Sequence, residues 1–529
     1  MTAAKSASCP DLLNSQNQEL VRGVQELARF FSELNHPANP RLFIVGGMLR
    51  DSFLNKQALD IDVVVEGLSA QELREILTEH FPERVHSQGT PLSLVYFSFS
   101  DADRSVGCEI VANESRGGEI FSQRNFTCNA MAFDPLTSSL FDPYEGQTDL
   151  KNGILRAADS EVFNRDPINI FKGMQIAARG NLTIESSTID LMSEATSRID
   201  FRLLNKEVIR TQIAKLLLYA ERPSIGFENL AAIGFTERFL PDLHRLKLTP
   251  QDPRHHPEGD VWNHTMMVLD EAARIISERR DVTDPLTVML GALCHDLGKA
   301  THTQIRDDKI SAHGHELAGV APCKRLLGSL GFGRAAQQKV APIVARHMDA
   351  RPLVKSGPVD DSLDKKFVNK LRLLAKSLSP VSLVDFAYVC EADSRGRGVK
   401  DNPKEGFPIR DTFERWSRRY GIEELVSQRL LLQGDLSKLA LPAGMELGPI
   451  LRDVEEKRDF GTLHNKQDAI SYVLLRYGLT RDERESFGLT RGAQFASERN
   501  RSLVSDCRSG KIQTRTELVR ACEDLLTRS

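Results

Sequence analysis

The sequence has no stretch long and apolar enough to cross a membrane, which takes roughly 18 consecutive apolar residues. The N-terminal segment carries Asn, Gln and Glu where a secretory signal would need an apolar core. The eight cysteines form no CxxC pair and no compact disulfide framework. We therefore expect a cytoplasmic protein with reduced thiols.

The chain also lacks a strong net charge, internal repeats and low-complexity tracts. Its formal net charge is -4, so nucleic acid would have to bind at local basic patches rather than to a global positive field. Composition neither supports nor excludes an RNA substrate. With 529 residues, 40% of them hydrophobic, the chain can form several cores, and a single domain is not expected.

The apolar spacing predicts an α+β protein with a small mixed sheet at the front and helices behind it. Strand-like segments occur at 42–45, 61–65, 92–97 and 108–111, with helical spacing at 19–34 and 71–79. From about residue 160 nearly every apolar pattern has the helical period. We expect four parts: a head (20–150), a helical neck and body (151–250), a second helical domain (251–420) and a helical tail with a basic extension (421–529).

Two neighbouring segments of the head indicate a metal and triphosphate site. Residues 45–51, VGGMLRD, follow a strand and open a helix, and residues 59–65 are LDIDVVV. Asp60 and Asp62 alternate onto one strand face, where two like charges favour a bound Mg²⁺ carrying nucleotide phosphates. Gly46 and Gly47 let backbone N–H groups approach a triphosphate, and Arg50 adds positive charge.

These segments together resemble the head of class II nucleotidyltransferases, the family of CCA-adding enzymes and bacterial poly(A) polymerases. Residues 122–131, SQRNFTCNAM, and 141–146, FDPYEG, are similar to two further family motifs. Gln123 and Asn125 replace an Arg and an Asp of the first motif, which leaves Arg124 as the matching basic group. The resemblance implies that Glu109 supplies a third carboxylate, as general base or metal ligand; a solvated strand Glu is the alternative.

The family recognises the incoming base with a helix that carries Glu-Asp-x-x-Arg and a further Arg three residues on. The matching segment here is 164–179, NRDPINIFKGMQIAAR, in which Asp166, Asn169, Lys172 and Gln175 are spaced for one helix face. Asp166 can accept from the exocyclic amine of C or A. Asn169 offers only a short neutral donor in place of Arg, while Lys172 can contact a phosphate. The alternative is that this helix only packs the neck.

The second domain contains a set of metal-ligand residues. Residues 255–265 are HHPEGDVWNHT and residues 293–299 are LCHDLGK. Asp284-Pro285 predicts a helix start and Gly298 its end, so His295 and Asp296 are expected in the last turn of a buried helix. His264 and Asp393 would complete four nitrogen and oxygen ligands, which suit a divalent transition metal that activates water for attack on phosphorus.

This ligand set resembles the HD superfamily of metal phosphohydrolases, and the order of motifs over residues 40–480 resembles bacterial multifunctional CCA proteins. The resemblance implies transfer of C and A from CTP and ATP to the 3′ end of tRNA or another RNA. It also implies 2′,3′-cyclic phosphodiesterase, 2′-nucleotidase and phosphatase activity in the HD domain. His313, His315 and His347 would add phosphate contacts or a second metal, or are ordinary surface histidines.

Two other hypotheses remain open. The head can be an active transferase with a changed nucleotide or acceptor specificity, since Asn125, Asn169 and Gln175 replace family residues. Alternatively, the head is a vestigial binding module and only the HD domain is catalytic. For the basic residues among the last fifty residues of the chain there are two alternatives. They would either contact an RNA backbone or form a solvated helix face. The oligomeric state does not follow from the sequence.

Overall fold

The computed structural model describes most of the chain, which divides into two compact units. The described residues are 18–58, 61–86, 94–99, 107–115, 119–122, 124–279, 281–307, 309–357, 365–398, 408–420, 422, 430–459, 463, 465–480, 482–483, 503, 505–507 and 509–527. The first unit comprises Met1–Asp281, Pro285–Val340 and Ala392–Asn402. The second comprises Val282–Asp284, Ala341–Glu391 and Pro403–Ser529.

A mixed seven-stranded sheet forms the head of the first unit. Its strands are β1 (Arg41–Val45), β2 (Asp62–Glu66), β3 (Val85–His86), β4 (Leu94–Ser98), β5 (Gly107–Asn113), β6 (Ala132–Asp134) and β7 (Ser139–Phe141). The spatial order is β3-β4-β5-β2-β1-β6-β7. Only the β2–β5 pair is parallel among these neighbours. The predicted α+β fold class is confirmed.

Strands β1, β2, β4 and β5 lie where the hydrophobic runs predicted them, because buried strands need continuous apolar segments. The shorter strands β3, β6 and β7 were not predicted. Residues 92–93 of one predicted strand lie outside the described residues. The head helices are Gln18–Glu33, Gly47–Phe53, Ala70–His80, Glu119–Ser122 and Gly146–Lys151. Ser69 and Glu72 form a capping box at the start of Ala70–His80, so the local sequence fixes where that helix begins.

The neck is helical, as the 3.6-residue spacing predicts. Its elements include a two-stranded pair, Ile154–Leu155 with Thr183–Ile184, and a 3-10 turn, Phe201–Leu203. Its helices are Val162–Arg165, Ile168–Gly180, Ser186–Arg198, Lys206–Tyr219, Ser224–Ala232, Phe235–Phe239 and Pro241–His244, followed by the 3-10 turn Arg245–Leu248. Edge-to-face contacts among Phe171, Phe201 and Phe235 hold three of these elements together.

The rest of the first unit carries the second predicted site. Its main helices are Val261–Glu278, Pro285–Cys294, Val320–Ser329 and Arg334–Arg346, with short helices Lys299–His302 and His315–Ala318. A hairpin, Gln304–Arg306 with Lys309–Ser311, lies between the two short helices in sequence. Asp260 caps the helix Val261–Glu278 by accepting from the backbone N–H of Asn263.

The second unit is helical wherever it is described. The helix Leu383–Arg395 belongs to this unit as far as Glu391. The other helices include Ala350–Lys355, Lys365–Leu378, Pro408–Tyr420, Gln433–Lys438, Leu447–Asp459, Lys466–Tyr477 and Arg515–Thr527. The last four pack around one buried cluster that includes Leu436, Val454, Val473 and Leu518. The helical tail therefore has an apolar core of its own.

No single helix among the described residues has both the length and the apolar character that crossing a membrane requires. One pair, Phe367–Leu378 with Leu383–Arg395, meets both conditions only when counted together across an 88° bend. The seven cysteines within the described residues are buried and free.

Candidate active sites

The head brings Asp62 and Glu109 side by side. Strands β2 and β5 run parallel with Asp62 in register with Glu109, and Asp62 is also the partner of Val45 on β1. Partners in register place their side chains on the same face of a sheet. Besides burial, both carboxylates raise the pKa of the Cys108 thiol, which places their charges around one point of the sheet. Asp60 lies outside the described residues.

Gly46 and Arg124 complete this end of the sheet. Gly46 has φ 71°, and a Cβ added to it would lie 2.9 Å from Asp62 Oδ2, so the backbone approaches the carboxylate more closely than a side chain would permit. Gly47 opens the following helix, Gly47–Phe53. Burial lowers the pKa of Arg124, and the charge of Asp62 opposes that effect. Two carboxylates, a glycine backbone and a guanidinium therefore share one site.

Arg50 occupies a different place from the one its motif suggests. Its side chain is buried; it donates from Nε and one terminal nitrogen to Asp51 Oδ1 and from the other to Asn129 Oδ1 at 3.0 Å. Arg179 lies 3.2 Å from Asp51 Oδ2, so the carboxylate has two guanidinium partners. This arrangement favours a structural role for Arg50, and phosphate binding by Arg50 stays a prediction.

The proposed base-recognition residues do not share one exposed face. Asp166 precedes the helix Ile168–Gly180, where it accepts from the backbone N–H of Ile168, and it lies 3.9 Å from Lys172 Nζ. Asn169 and Gln175 are buried. The Asn169 amide donates to the Val162 carbonyl at 3.1 Å, and its oxygen accepts from Asn125 at 3.2 Å. Asp166 and Lys172 are therefore the half-exposed pair of this set.

The four predicted ligands of the second site converge. His264, His295 and Asp393 each offer one ligand atom, a ring nitrogen or a carboxylate oxygen. These three atoms lie within 4.8 Å of one another. Asp296 Oδ2 lies 3.1 Å from His295 Nε2 and 3.6 Å from His264 Nε2. His264, His295 and Asp296 are at most 2% exposed. Such a buried cluster of imidazoles and carboxylates fits a divalent metal ion.

The protonation pattern of His295 suits a metal ligand. Its Nδ1 lies 2.8 Å from the Ala292 carbonyl, and a carbonyl can only accept, so Nδ1 carries a proton and Nε2 is the nitrogen that would bind a metal. Burial opposes ionisation of Asp296, but His295 and Lys299 outweigh it and hold the pKa of Asp296 well below its ordinary value. A low pKa keeps the carboxylate charged, as metal binding requires.

The helix that presents this doublet ends one residue earlier than expected. It spans Pro285–Cys294, so His295 and Asp296 follow its last turn instead of lying in it. Gly298 does not end the helix by a left-handed conformation, because its φ is -71°. A Cβ on Gly298 would lie 1.9 Å from the His315 carbonyl oxygen. Close backbone approach, and not helix termination, requires this glycine.

The additional histidines differ from one another. His315 is buried with Nε2 3.2 Å from Asp296 Oδ1, so it belongs to the surroundings of the doublet. His313 is exposed. His347 belongs to the second unit, where it is buried and its Nδ1 lies 2.8 Å from the Val344 carbonyl. Of these three histidines, His313 alone is a surface residue.

Comparisons with known families match both halves of this description. The Poly A polymerase head domain matches residues 42–116 and 117–156. The HD domain matches residues 261–376. A multifunctional CCA protein from Pasteurella multocida is 30% identical over 68% of this chain and 84% of its own length. One from Chromobacterium violaceum is 31% identical over 77% of this chain and 95% of its own. The chain belongs to the multifunctional CCA protein family.

Solved structures agree with this membership at the level of the fold. A Bacillus stearothermophilus CCA-adding enzyme in complex with CTP has a TM-score of 0.57, with 15% identity over 85% of this chain and 94% of its own. An apo CCA-adding enzyme has a TM-score of 0.52, with 16% identity over 88% of this chain and 96% of its own. This member of the family is an enzyme with a nucleotidyltransferase head and an HD domain, and both depend on divalent metal ions.

Sequence reasoning missed one member of the HD site. Glu258 lies in the HPE segment before the HD helix, with Oε1 2.8 Å from His256 Nδ1 and 2.9 Å from His264 Nδ1. Its side chain is 3% exposed. The signal was a glutamate placed between two histidines in a segment that otherwise looks like a polar linker.

In the tail of the chain, two of the described basic residues have acidic neighbours. Lys511 lies 3.2 Å from Asp506, and Arg515 contacts Glu483. Arg499, Arg501 and Arg508 lie outside the described residues. The described part favours the alternative of a solvated, ion-paired helix face over an RNA-binding patch.

Proposed function

We propose that the head transfers C and A from CTP and ATP to the 3′ end of tRNA, and that the HD site hydrolyses phosphate esters. The observation that carries the transferase half is the register of Asp62 with Glu109, with Gly46 and Arg124 beside Asp62. Family membership supports the RNA substrate. We also propose that the protein acts in the cytoplasm, where tRNA is processed.

The head residues fit Mg²⁺, which prefers oxygen ligands. Asp62, together with Asp60 and Glu109, would hold it. Bound there, Mg²⁺ supplies charge neutralisation on the nucleotide phosphates and orients them for displacement. Arg124 adds positive charge close to Asp62, and the backbone of Gly46 leaves room for phosphate oxygens. Glu109 lies on the exposed side of β5, where it is placed to accept the proton of an RNA 3′ hydroxyl or to ligate the metal.

The HD residues fit a divalent transition metal held by His264, His295, Asp296 and Asp393. Such an ion would lower the pKa of a bound water and so supply the nucleophile for attack on a phosphate ester. Lys299 lies 2.7 Å from Asp296 Oδ2 and donates to Gln251 Oε1 at 2.8 Å. These contacts hold the doublet in place and add positive charge where a phosphate would approach.

Two single substitutions separate the activities. Asp62→Asn should abolish nucleotide incorporation into tRNA lacking CCA, while hydrolysis of a 2′,3′-cyclic nucleotide continues. Asp296→Asn should do the reverse. The assay uses two substrates, tRNA that lacks the whole CCA end and tRNA that lacks only the terminal A. Each is incubated with one nucleoside triphosphate at a time. If Asp62→Asn leaves every measurable activity unchanged, the head is vestigial and the transferase proposal is wrong.

Changed nucleotide selection is the second candidate, and one observation favours it. One N–H of the Asn169 amide donates to the Val162 carbonyl, and its oxygen accepts from Asn125 in the head. Asn169 is also buried, so its short amide is held inside the fold and does not reach a base as the family's longer Arg would. Incorporation of A alone, or of C no better than U, in the single-nucleotide assay would establish this candidate over ordered C and A addition.

A further inference from the structure

Glu258 contacts two histidines and one backbone amide from a buried position. Oε1 accepts a hydrogen bond from His256 Nδ1 at 2.8 Å and lies 2.9 Å from His264 Nδ1, although that ring N–H is not aligned along the contact. Oε2 accepts from the backbone N–H of Gly398 at 3.0 Å. Each oxygen of this carboxylate therefore has a nitrogen within 3.0 Å inside the fold.

The two ring nitrogens of His264 face different partners. Nδ1 lies beside Glu258, while Nε2 lies 3.1 Å from Asp393 Oδ1 and 3.6 Å from Asp296 Oδ2. An imidazole that ligates a metal through Nε2 must carry its proton on Nδ1. In His295 the Ala292 carbonyl fixes that proton. At His264 the Glu258 carboxylate lies beside Nδ1 in the place that the carbonyl has at His295.

We propose that Glu258 is a positioning residue for the HD metal, acting through His264. Its carboxylate holds the Nδ1 proton of His264, orients the ring so that Nε2 faces the other ligands, and makes the imidazole a better electron donor. This inference rests on the proposed metal site. It goes beyond the HD match, which begins at residue 261.

Glu258 also connects His264 with the segment that carries Asp393. Gly398 follows Arg397, which donates to Asp393 Oδ2 at 3.2 Å. A Cβ on Gly398 would come within 3.4 Å of Glu258, so the loop is packed directly on the carboxylate. One side chain thus fixes ligands that are far apart in sequence, which explains why a charged glutamate is kept in a buried position.

The alternative role for Glu258 is that of a metal ligand. His256, Glu258 and His264 also meet the distance requirement for a metal group, so Glu258 would then be a ligand of a separate ion. Both Nδ1 atoms face the same oxygen, Oε1, which is the arrangement of two N–H groups around one acceptor. The geometry points to positioning and predicts one metal per HD site.

The test is Co²⁺ binding to the full chain, measured by calorimetry and by the visible ligand-field spectrum. A titration of His264→Ala defines binding outside the HD site, including the head. Glu258→Gln keeps the side-chain volume and removes the charge. Asp260→Asn is the matched control, because it removes one charge two residues away and keeps the oxygen that caps the helix. Thermal unfolding of the metal-free proteins reports whether each variant folds.

Glu258→Gln should weaken Co²⁺ binding at the HD site by about tenfold or more and change the ligand-field spectrum, with one ion bound in both proteins. Asp260→Asn should bind as the wild type does. Glu258→Asp, which keeps the charge but shortens its reach, should fall between, and it provides a second variant should the glutamine protein not fold.

Wild-type affinity and spectrum in Glu258→Gln would overturn the positioning role while leaving the metal site intact. Loss of one of two bound ions would overturn it in favour of a ligand role. If the wild type binds no more Co²⁺ than His264→Ala, the proposed HD metal site itself is wrong and the inference falls with it.

Discussion

The side-chain amide of Asn125 donates to the side-chain oxygen of Asn169 across 3.2 Å. Asn125 replaces an Asp of the family motifs, and Asn169 replaces an Arg. Both replacements are neutral amides, and this hydrogen bond connects them. An Asp at position 125 would face the Asn169 oxygen with a second acceptor. The two replacements therefore suit each other, and each is explained by the presence of the other.

Asn169→Ala should destabilise the first unit by about 1 kcal/mol, because it removes the hydrogen bonds to the Val162 carbonyl and from the Asn125 amide, while the backbone N–H of Asp166 still donates to that carbonyl. Lys172→Ala, one helical turn further on and half exposed, is the control and should cost much less. Calorimetry of the full chain measures both. Equal effects of the two substitutions would show that the Asn169 contacts do not stabilise the neck.

The strands and site motifs of the head could be predicted because they depend on local spacing. Asp62 was expected at a strand end, and β2 begins with it. Its pairing with Glu109 could not be derived, because the two strands are distant in sequence and only their parallel register brings them together. The resemblance to the family suggested Glu109 as a candidate. The strand register puts it next to Asp62.

The roles of Arg50 and Gly298 could not be predicted because they depend on what packs against them. A basic residue after a glycine pair predicts phosphate contact, but Asp51 and Asn129 surround the Arg50 guanidinium. A glycine after an apolar helix predicts termination, but the His315 carbonyl occupies the space where a Cβ would lie. In both cases tertiary neighbours override the local signal.

Gly46→Ala should reduce nucleotide transfer at least tenfold, since the new Cβ would lie 2.9 Å from Asp62 Oδ2. Backbone strain at positive φ adds roughly 1–2 kcal/mol. Gly153→Ala separates the two effects, because Gly153 has φ 69° with nothing within 4 Å. Primer extension on tRNA lacking CCA should show a loss for position 46 only. A similar loss for both variants would assign the effect to strain alone.

Gly298→Ala should impair the HD site and spare the head. The His315 backbone would have to move away from the added Cβ, and His315 contacts Asp296 at 3.2 Å. We expect at least a tenfold loss of phosphodiesterase activity with unchanged nucleotide transfer. Gly333→Ala is the control, because a Cβ there meets nothing within 4 Å. Full phosphodiesterase activity in Gly298→Ala would contradict the close packing of this loop.

The stability of the tail should depend on pH through Asp453. Tyr472 and Tyr477 both donate to Asp453 Oδ2. Burial opposes the charge, but Tyr477 and Tyr472 outweigh it, so the pKa of Asp453 is lowered in the folded state. A lowered pKa means that the folded state binds the proton less well than the unfolded state does.

The stabilisation is therefore fully present above the unfolded value of about 3.9 and is lost as the pH falls through the folded pKa of Asp453. Thermal unfolding of wild type and Asp453→Asn should differ most near neutral pH, and the difference should shrink towards pH of about 3. Glu456→Gln, an exposed position on the same helix, is the control for loss of one charge. A difference that stays constant with pH would mean that ionisation of Asp453 does not contribute to the stability of the tail.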